Sequence, residues 1–355
     1  MRKIYLFTFM MLLLVHLKGQ AQQITLHVER AGTLHGMINA SRLPYITDLK
    51  LTGELNGTDI SFIRTLVKKN LRFLDLSEAR IVEGGAIYYS NYRTSNDIIG
   101  SYMFYNPDYS PISPCAISKI NLPNSVTGIE EGAFKSCTRL TDINIPNSVT
   151  SIGPETFKSC TSLTDINIPN SVTSIGERAF SGCTSLTDIN IPNSVTSIEW
   201  ATFYSCTGLT SINIPGSVTT IGSNAFYDCT SLTDINIPNS VTSIGEQAFY
   251  NCDNLKSVYM NASTPPFIGS QAFHNISKDL TIYIPRGSYT AYWLSYWGNY
   301  NLVEYDPTDI QGVTTSAHNG VEKYFSIDGR PLPGPCKGVN IIQDTDGKTR
   351  KAWIP

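Results

Sequence analysis

A block of 23 residues recurs along the middle of this chain, and its period constrains the fold more than any single motif. The clearest copy runs LTDINIPNSVTSIGPETFKSCTS from Leu140 to Ser162. Its Cys160 has counterparts at Cys137, Cys183, Cys206, Cys229 and Cys252, and its Phe157 at Phe134, Phe180, Phe203, Phe226 and Phe249. A fixed period between about 20 and 50 residues marks a solenoid, in which each coil buries its apolar face on the next.

Within one copy, Leu140, Ile143 and Ile145 follow an L-x-x-I-x-I pattern. Alternation of Ile143 and Ile145 with Asn144 predicts a short strand with one buried face. Pro146 lacks an N–H and ends that ladder, and Asn147 and Ser148 are turn formers. Val149 and Ile152 return to the core, and Gly153 is expected to free the backbone for a bend. Thr156 to Cys160 is long enough for one or two helical turns, with Phe157 and Cys160 on one side. Seven such coils begin at Ile117, Leu140, Leu163, Leu186, Leu209, Leu232 and Leu255. Stacked at the spacing of parallel strands, they make a rod about 35 Å long.

The run IPNSVTSIG, followed by AF and then C at 23-residue spacing, resembles the BspA-like leucine-rich repeats of bacterial surface proteins. The match is strong from Ile117 to Pro285 and looser on the flanks. The resemblance implies an α/β repeat fold: a right-handed leucine-rich-repeat solenoid with N- and C-terminal caps, here followed by a small C-terminal β module. It also implies display outside the cell and adhesion to host matrix proteins or to other cells.

Residues 1–21 read as a signal peptide. Arg2 and Lys3 precede an apolar run from Ile4 to Val15, and Gly19-Gln20-Ala21 supplies small residues for cleavage. The run is too short to span a membrane, so the mature chain is expected to be exported to the cell surface, the medium or the periplasm. Residues 22–116 read as an N-terminal cap with degenerate repeats, in which Thr58 caps a helix burying Ile60, Ile63, Leu66 and Val67. An insertion there is rich in tyrosine: Tyr88, Tyr89 and Tyr92, then Tyr102, Tyr105 and Tyr109. Its rings either pack over the solenoid flank or form a binding loop. Residues 117–306 carry the solenoid and its C-terminal cap. Ser288 to Trp297 is expected to be one capping helix, with the stripe Tyr289, Tyr292, Trp293, Tyr296 and Trp297 in its core. Residues 307–320 suit a linker. Residues 321–355 read as short strands, Tyr324–Ile327, Gly338–Gln343 and Lys348–Ile354, with turns at Asp328-Gly329 and Asp346-Gly347. This module resembles C-terminal modules of secreted bacterial proteins, a few of which are sorting signals; a β module without a trafficking task is the alternative.

Nothing catalytic assembles from the sequence. The five histidines lack zinc-site spacing, and neither a G-x-S-x-G elbow nor a phosphate-binding glycine loop is present. No cofactor or metal is expected, and the protein is read as a non-enzyme. Charged residues make up only 15% of the chain and the formal net charge is −3, which removes the electrostatic case for nucleic acid. Six of the eight cysteines share one inward slot. Stacked coils would hold those side chains parallel, whereas a disulfide needs converging Cβ atoms, so they read as buried free thiols. Cys115 sits one residue off that register, and Cys336 is isolated.

Two outward columns are candidate ligand sites. Asp142, Asp165, Asp188 and Asp234 share a slot beside the strand, next to an asparagine column. Like charges about 5 Å apart repel by roughly 0.8 kcal/mol in water, so hydrogen-bonded ladders suffice to explain the column, and a basic peptide or a cation is the alternative. The second column follows the repeated Phe: Lys135, Lys158, Ser181, Tyr204, Tyr227 and Tyr250, with Trp200 nearby. Its rings either pack on one another between coils or form an aromatic strip for a protein or glycan partner, since Trp and Tyr are favoured at interface hot spots. A structural envelope scaffold without a specific ligand is the competing reading of the whole chain.

Overall fold

The computed structural model describes residues 22–105 and 115–306, together with the backbone of four strands further on: Lys323–Phe325, Pro331–Leu332, Gly338–Gln343 and Thr349–Ile354. The expected leader over 1–21, Tyr109, the linker over 307–320 and Cys336 lie outside the described residues.

Each coil contributes to three stacked rows. The first is the sheet formed by the L-x-x-I-x-I strands. Gln22–Val28, Ile46–Leu55, Phe73–Ile81, Lys119–Asn121 and Asp142–Asn144 pair in parallel in that order. The degenerate N-terminal repeats thus join the same sheet as the regular ones. A bridge between Asn190 and Asn213 carries the row onward, and Asp234–Ile237, Ser257–Met260, Thr281–Pro285 and Asn301–Tyr305 complete it. The second row consists of two-residue strands from the SI dipeptides. Ile152 pairs with Ile129 and Ile175, and Ile221 with Ile198 and Ile244.

The regular Ser and Thr residues explain why coils remain in register. Ser148, Ser171, Ser194, Ser217 and Ser240 donate to the carbonyls of Val126, Val149, Val172, Val195 and Val218, each one coil back. Thr150, Thr173, Thr219 and Thr242 donate likewise to Thr127, Thr150, Thr196 and Thr219. The PNSVT segment is therefore a set of side-chain rungs, each satisfying a backbone acceptor that stacking removes from water.

The third row corrects the expected helical turns at Thr156–Cys160. The segment is a pair of tight turns, closed by Lys158 N–H to Glu155 O (3.1 Å) and Cys160 N–H to Phe157 O (3.0 Å). The alternate N–H groups of Glu155, Phe157 and Ser159 donate to Glu177, Ala179 and Ser181 of the following coil. A helix would turn these donors along its own axis; here they bind coil to coil. The geometry requires left-handed backbone at Glu155 (φ 51°) and Ser159 (φ 61°), and the pattern recurs at Arg178, Ala201, Ser205, Asn224 and Asp228. Such residues cost about 1 kcal/mol or more each, offset by the inter-coil bonds. Gly153 also has a different purpose from the bend expected of it. The glycine in this slot lies against the preceding coil: a Cβ on Gly176 would fall 2.5 Å from the backbone nitrogen of Pro154.

The core is one continuous cluster. Phe104, Phe134, Phe157, Phe180, Phe203, Phe226, Phe249 and Phe273 stack along it with centroids 4.9–5.7 Å apart. Phe273 keeps its place although one extra residue precedes it. The cysteines among the described residues are free and buried, and they do more than fill space. Cys160, Cys183, Cys206, Cys229 and Cys252 point their thiols at the carbonyls of Phe134, Phe157, Phe180, Phe203 and Phe226, at 3.1–3.2 Å. Burial pushes the thiols of Cys206 and Cys252 up to about 12, so they stay protonated and donate. Cys137 likewise points its thiol at the Phe104 carbonyl, at 3.4 Å, and Cys115, off the register, is buried.

Both ends differ in detail from expectation. The helix Gly57–Val67 buries Ile60, Ile63, Leu66 and Val67, but its cap is Asn56, not Thr58. The Thr58 hydroxyl instead accepts from Ala86 N–H at 3.0 Å. At the other end, only Tyr289–Trp293 is α-helical, and a 3-10 turn follows at Tyr296–Asn299. Tyr292 and Trp297 are fully buried, held by Tyr292 Oη to Ala262 O (2.7 Å) and Trp297 Nε1 to Pro266 O (2.8 Å). Tyr289, Trp293 and Tyr296 face solvent instead of entering the core. The break at Leu294 and Ser295 rotates the second half of the stripe away from helical register. The strands beyond residue 322 form an antiparallel sheet, with Lys323–Phe325 between Pro331–Leu332 and Gly338–Gln343, and Thr349–Ile354 at its edge.

Candidate functional site

The column after the buried phenylalanines forms a lateral row on the outside of the third stack. A tight turn places residue i inward and residue i+1 outward, so the successors of Phe203, Phe226 and Phe249 emerge side by side. Tyr204 and Tyr227 stack at 4.8 Å and 10°, Tyr227 and Tyr250 at 4.9 Å and 6°. His274 extends the stack past Tyr250 at 5.4 Å. It was legible in principle, since it follows Phe273 as each Tyr follows its Phe.

Trp200 is 37% exposed and does not join the tyrosine stack; the Arg178 guanidinium lies over its ring at 4.0 Å. Arg178 also approaches Glu155 at 3.6 Å, and Glu155 holds both Lys135 and Lys158. Lys135 in turn lies over Tyr102 and Tyr105 at 5.8 and 5.7 Å. The contacts thus run from the tyrosine insertion through a charge cluster to Trp200.

Burial of Glu155 works to raise its pKa, but the Lys135 and Lys158 bonds outweigh it and hold the carboxyl below its ordinary value. A carboxylate depressed in the folded state stabilises the protein above its unfolded value, and that contribution fades as pH falls through the folded one. Glu155→Gln should therefore lower stability by about 1–2 kcal/mol at pH 7, and the gap from wild type should close toward pH 3. Urea titrations at several pH values measure this, and a gap that stays constant across that range would remove the charge cluster as its source.

The insertion after Glu83 packs onto itself. Gly84–Tyr89 and Tyr92–Thr94 form a hairpin, and Tyr89, Tyr92, Tyr102 and Tyr105 form a ring cluster with centroids 5.4–5.9 Å apart. Arg64 is buried beneath it, with Nη1 donating to the carbonyls of Tyr102 and Met103 at 2.8 Å. A shallow pocket of about 410 Å³ beside it is lined by Arg64, Lys68, Ile87 and Tyr89.

The aspartate column lies on the outward face of the first sheet row. Asp142, Asp165 and Asp188 are exposed and Asp234 is half-buried. They do not converge. Asp142 pairs with Lys119 at 2.6 Å, Asp188 accepts from Ile189 N–H, and Asp234 accepts from Thr233. Among the described residues no group of three or more His, Cys, Asp or Glu could hold a metal ion.

The same face carries a cluster that sequence reasoning missed. At its C-terminal end the asparagine column gives way to Tyr259 and Tyr283, stacked at 4.7 Å, with Tyr305 edge-on to both. The available signal was Tyr259 standing 23 residues after Asn236.

Comparison with known proteins places the repeat. The model of the BspA type leucine rich repeat region matches in six copies over residues 97–230 and 197–305, together more than half of the 355-residue chain. Among solved structures, the chain is similar to a leucine rich cell surface protein from Faecalibacterium prausnitzii A2-165, with 34% identity over 52% of this chain and 47% of that one and a TM-score of 0.44. It therefore spans about half the length of that relative. It is similar too to the leucine rich repeat protein of T. pallidum (26% identity, 59% and 77% covered, TM-score 0.37) and to a leucine-rich repeat protein from Bacteroides ovatus ATCC 8483 (22%, 68% and 75%, 0.36). No curated protein matches the chain. Among the described residues no helix is long and apolar enough to cross a membrane. With its 23-residue coils, stacked phenylalanines and this family match, the chain belongs to the BspA-type leucine-rich repeat family.

Proposed function

We propose that the protein is exported and surface-exposed, has no catalytic role, and mediates adhesion by binding a protein or glycan partner on a host or neighbouring cell. The observation that carries this reading is the lateral row of Trp200, Tyr204, Tyr227 and Tyr250. Most outward positions of the repeat are small or polar, and large rings held side by side at the surface are the composition that interface hot spots favour. The domain plan that goes with this reading is a leader over 1–21, a cap over 22–116, the solenoid over 117–306, a linker over 307–320 and a β module over 321–355. The aspartate column of Asp142, Asp165, Asp188 and Asp234 is a secondary contact surface for a basic segment.

The test is a binding screen of the purified protein without residues 1–21 against matrix proteins and cell-surface glycans. The variant with alanine at Trp200, Tyr204, Tyr227 and Tyr250 is run beside it. Capture should fall at least tenfold in the variant while its circular dichroism stays that of wild type. Equal capture by both proteins rules out the row as the site. The near-identity of the coils favours a second reading, an envelope scaffold without a specific ligand, and a screen in which neither protein captures anything supports it.

A further inference from the structure

Parallel stacking uses up ring faces. Tyr227 is covered by Tyr204 and Tyr250, and Tyr250 by Tyr227 and His274. Tyr204 is covered by a ring on one side only. One coil back the same slot holds Ser181, and one coil further Lys158. Among the described residues no ring or cation lies over the second face of Tyr204. Arg178 is over Trp200, and Lys158 is bonded to Glu155 at 2.6 Å. Tyr204 is 36% exposed, whereas Tyr227 and Tyr250 are half-buried. One coil corresponds to one ring of the stack, and the stack stops at Tyr204 because the next slot holds Ser181 and the two before it Lys158 and Lys135.

We infer that this end of the stack is a ring-binding notch, which takes an aromatic side chain of a protein partner onto the free face of Tyr204, above Ser181 and beside Lys158. The inference rests on the binding role proposed above and specifies its ligand. The neighbours of the notch favour an aromatic ring over a sugar. In this same row Lys135 lies over Tyr102 and Tyr105 while bonded to Glu155, and Arg178 lies over Trp200. Lys158 shares that Glu155, so it meets an inserted ring without giving up its ion pair. Cations are attracted to the negative face of an aromatic ring, and a neutral sugar offers no such face. Ser181 is 7% exposed; it forms a closed floor, and the guest ring is held by its faces.

The notch is tested on the full purified protein by saturation-transfer NMR, with N-acetyl-L-tyrosinamide and methyl β-D-glucopyranoside as probes. The tyrosinamide ring should receive at least fivefold more saturation than the sugar. Ser181→Tyr supplies the next ring from the chain itself and should reduce that signal at least tenfold. Ser181→Lys, which repeats the residue of the two preceding coils, should do the same and stands in should Ser181→Tyr not fold. A signal unchanged in the folded Ser181 variants, or a stronger signal from the sugar, overturns the notch. Partner capture separates this inference from the reading beneath it. Both Ser181 variants keep Trp200 and the three tyrosines, and should lose capture. Capture kept by them but lost by the four-alanine variant overturns the notch and leaves the row standing. Capture kept by all variants overturns the row, and with it the partner assigned to the notch.

Discussion

Phe180→Ala should destabilise the protein by about 3–5 kcal/mol, the range for removing a fully buried ring from a packed core. Phe180 has no solvent exposure and lies between Phe157 at 5.4 Å and Phe203 at 5.7 Å. Its truncation opens a cavity at two coil interfaces at once, because each ring is the packing surface of both neighbours. The thiol of Cys206 also points at the Phe180 carbonyl, which ties the backbone there and hinders collapse around the void. In a solenoid, stability is a sum of coil terms and nearest-neighbour terms. A weak central interface should therefore do more than shift the urea midpoint: the unfolding of the N- and C-terminal halves should begin to separate. Circular dichroism and tryptophan fluorescence report this together, since the tryptophans of the described coils, Trp200, Trp293 and Trp297, all lie on the C-terminal side. Phe180→Leu, which refills most of the volume, should recover more than half of the loss. A loss under about 1 kcal/mol for the alanine variant would mean that the column does not carry the coil interfaces.

How much of this was legible follows from what a period can report. Columns repeat, so Phe157, Cys160, Ile143 and Ile152 disclosed their inward positions without any structure. Conformation inside the column does not repeat in so plain a code. Thr156 to Cys160 has helix-compatible residues, yet the N–H groups of Glu155, Phe157 and Ser159 find acceptors one coil away, and that tertiary bond decides against a helix. The left-handed residues Glu155 and Ser159 are not glycine, and glycine stands in their slots only at Gly132 and Gly182 of the neighbouring coils, so the usual sequence sign of such backbone was faint. The C-terminal stripe misled for a related reason. Its spacing fits one helix, but Tyr292 and Trp297 each reach a separate carbonyl, of Ala262 and Pro266, and one straight helix does not serve both. The candidate row was legible as a column of rings, and its stacked geometry was one of two readings left open. The pairing of Arg178 with Trp200 was not legible, because it joins slots 22 residues apart in neighbouring coils.

Asp59→Ala should cost about as much as the core truncation, roughly 3–5 kcal/mol, through a different mechanism. Asp59 is fully buried in the N-terminal region. One carboxylate oxygen accepts from Gly32 N–H at 2.5 Å and from Asn56 N–H at 3.0 Å; the other accepts from Leu34 N–H at 3.0 Å. The residue therefore closes the capping box of the helix Gly57–Val67 and pins the loop that follows the first strand. Removal leaves three backbone donors in a buried site, and each unsatisfied group costs about 1–3 kcal/mol. The cap itself contributes about 1 kcal/mol more. The effect should be local: amide hydrogens of Gly32, Leu34 and the first turn of the helix should lose exchange protection, while those of the coils beyond Leu140 keep theirs. Asp59→Asn separates charge from geometry. Its single carbonyl oxygen replaces one acceptor and its amide opposes a donor, so it should recover less than half of the loss. An alanine variant with wild-type protection at Gly32 and Leu34 would show that the N-terminal region is held by its sheet alone, through the Gln22–Val28 and Ile46–Leu55 pairing.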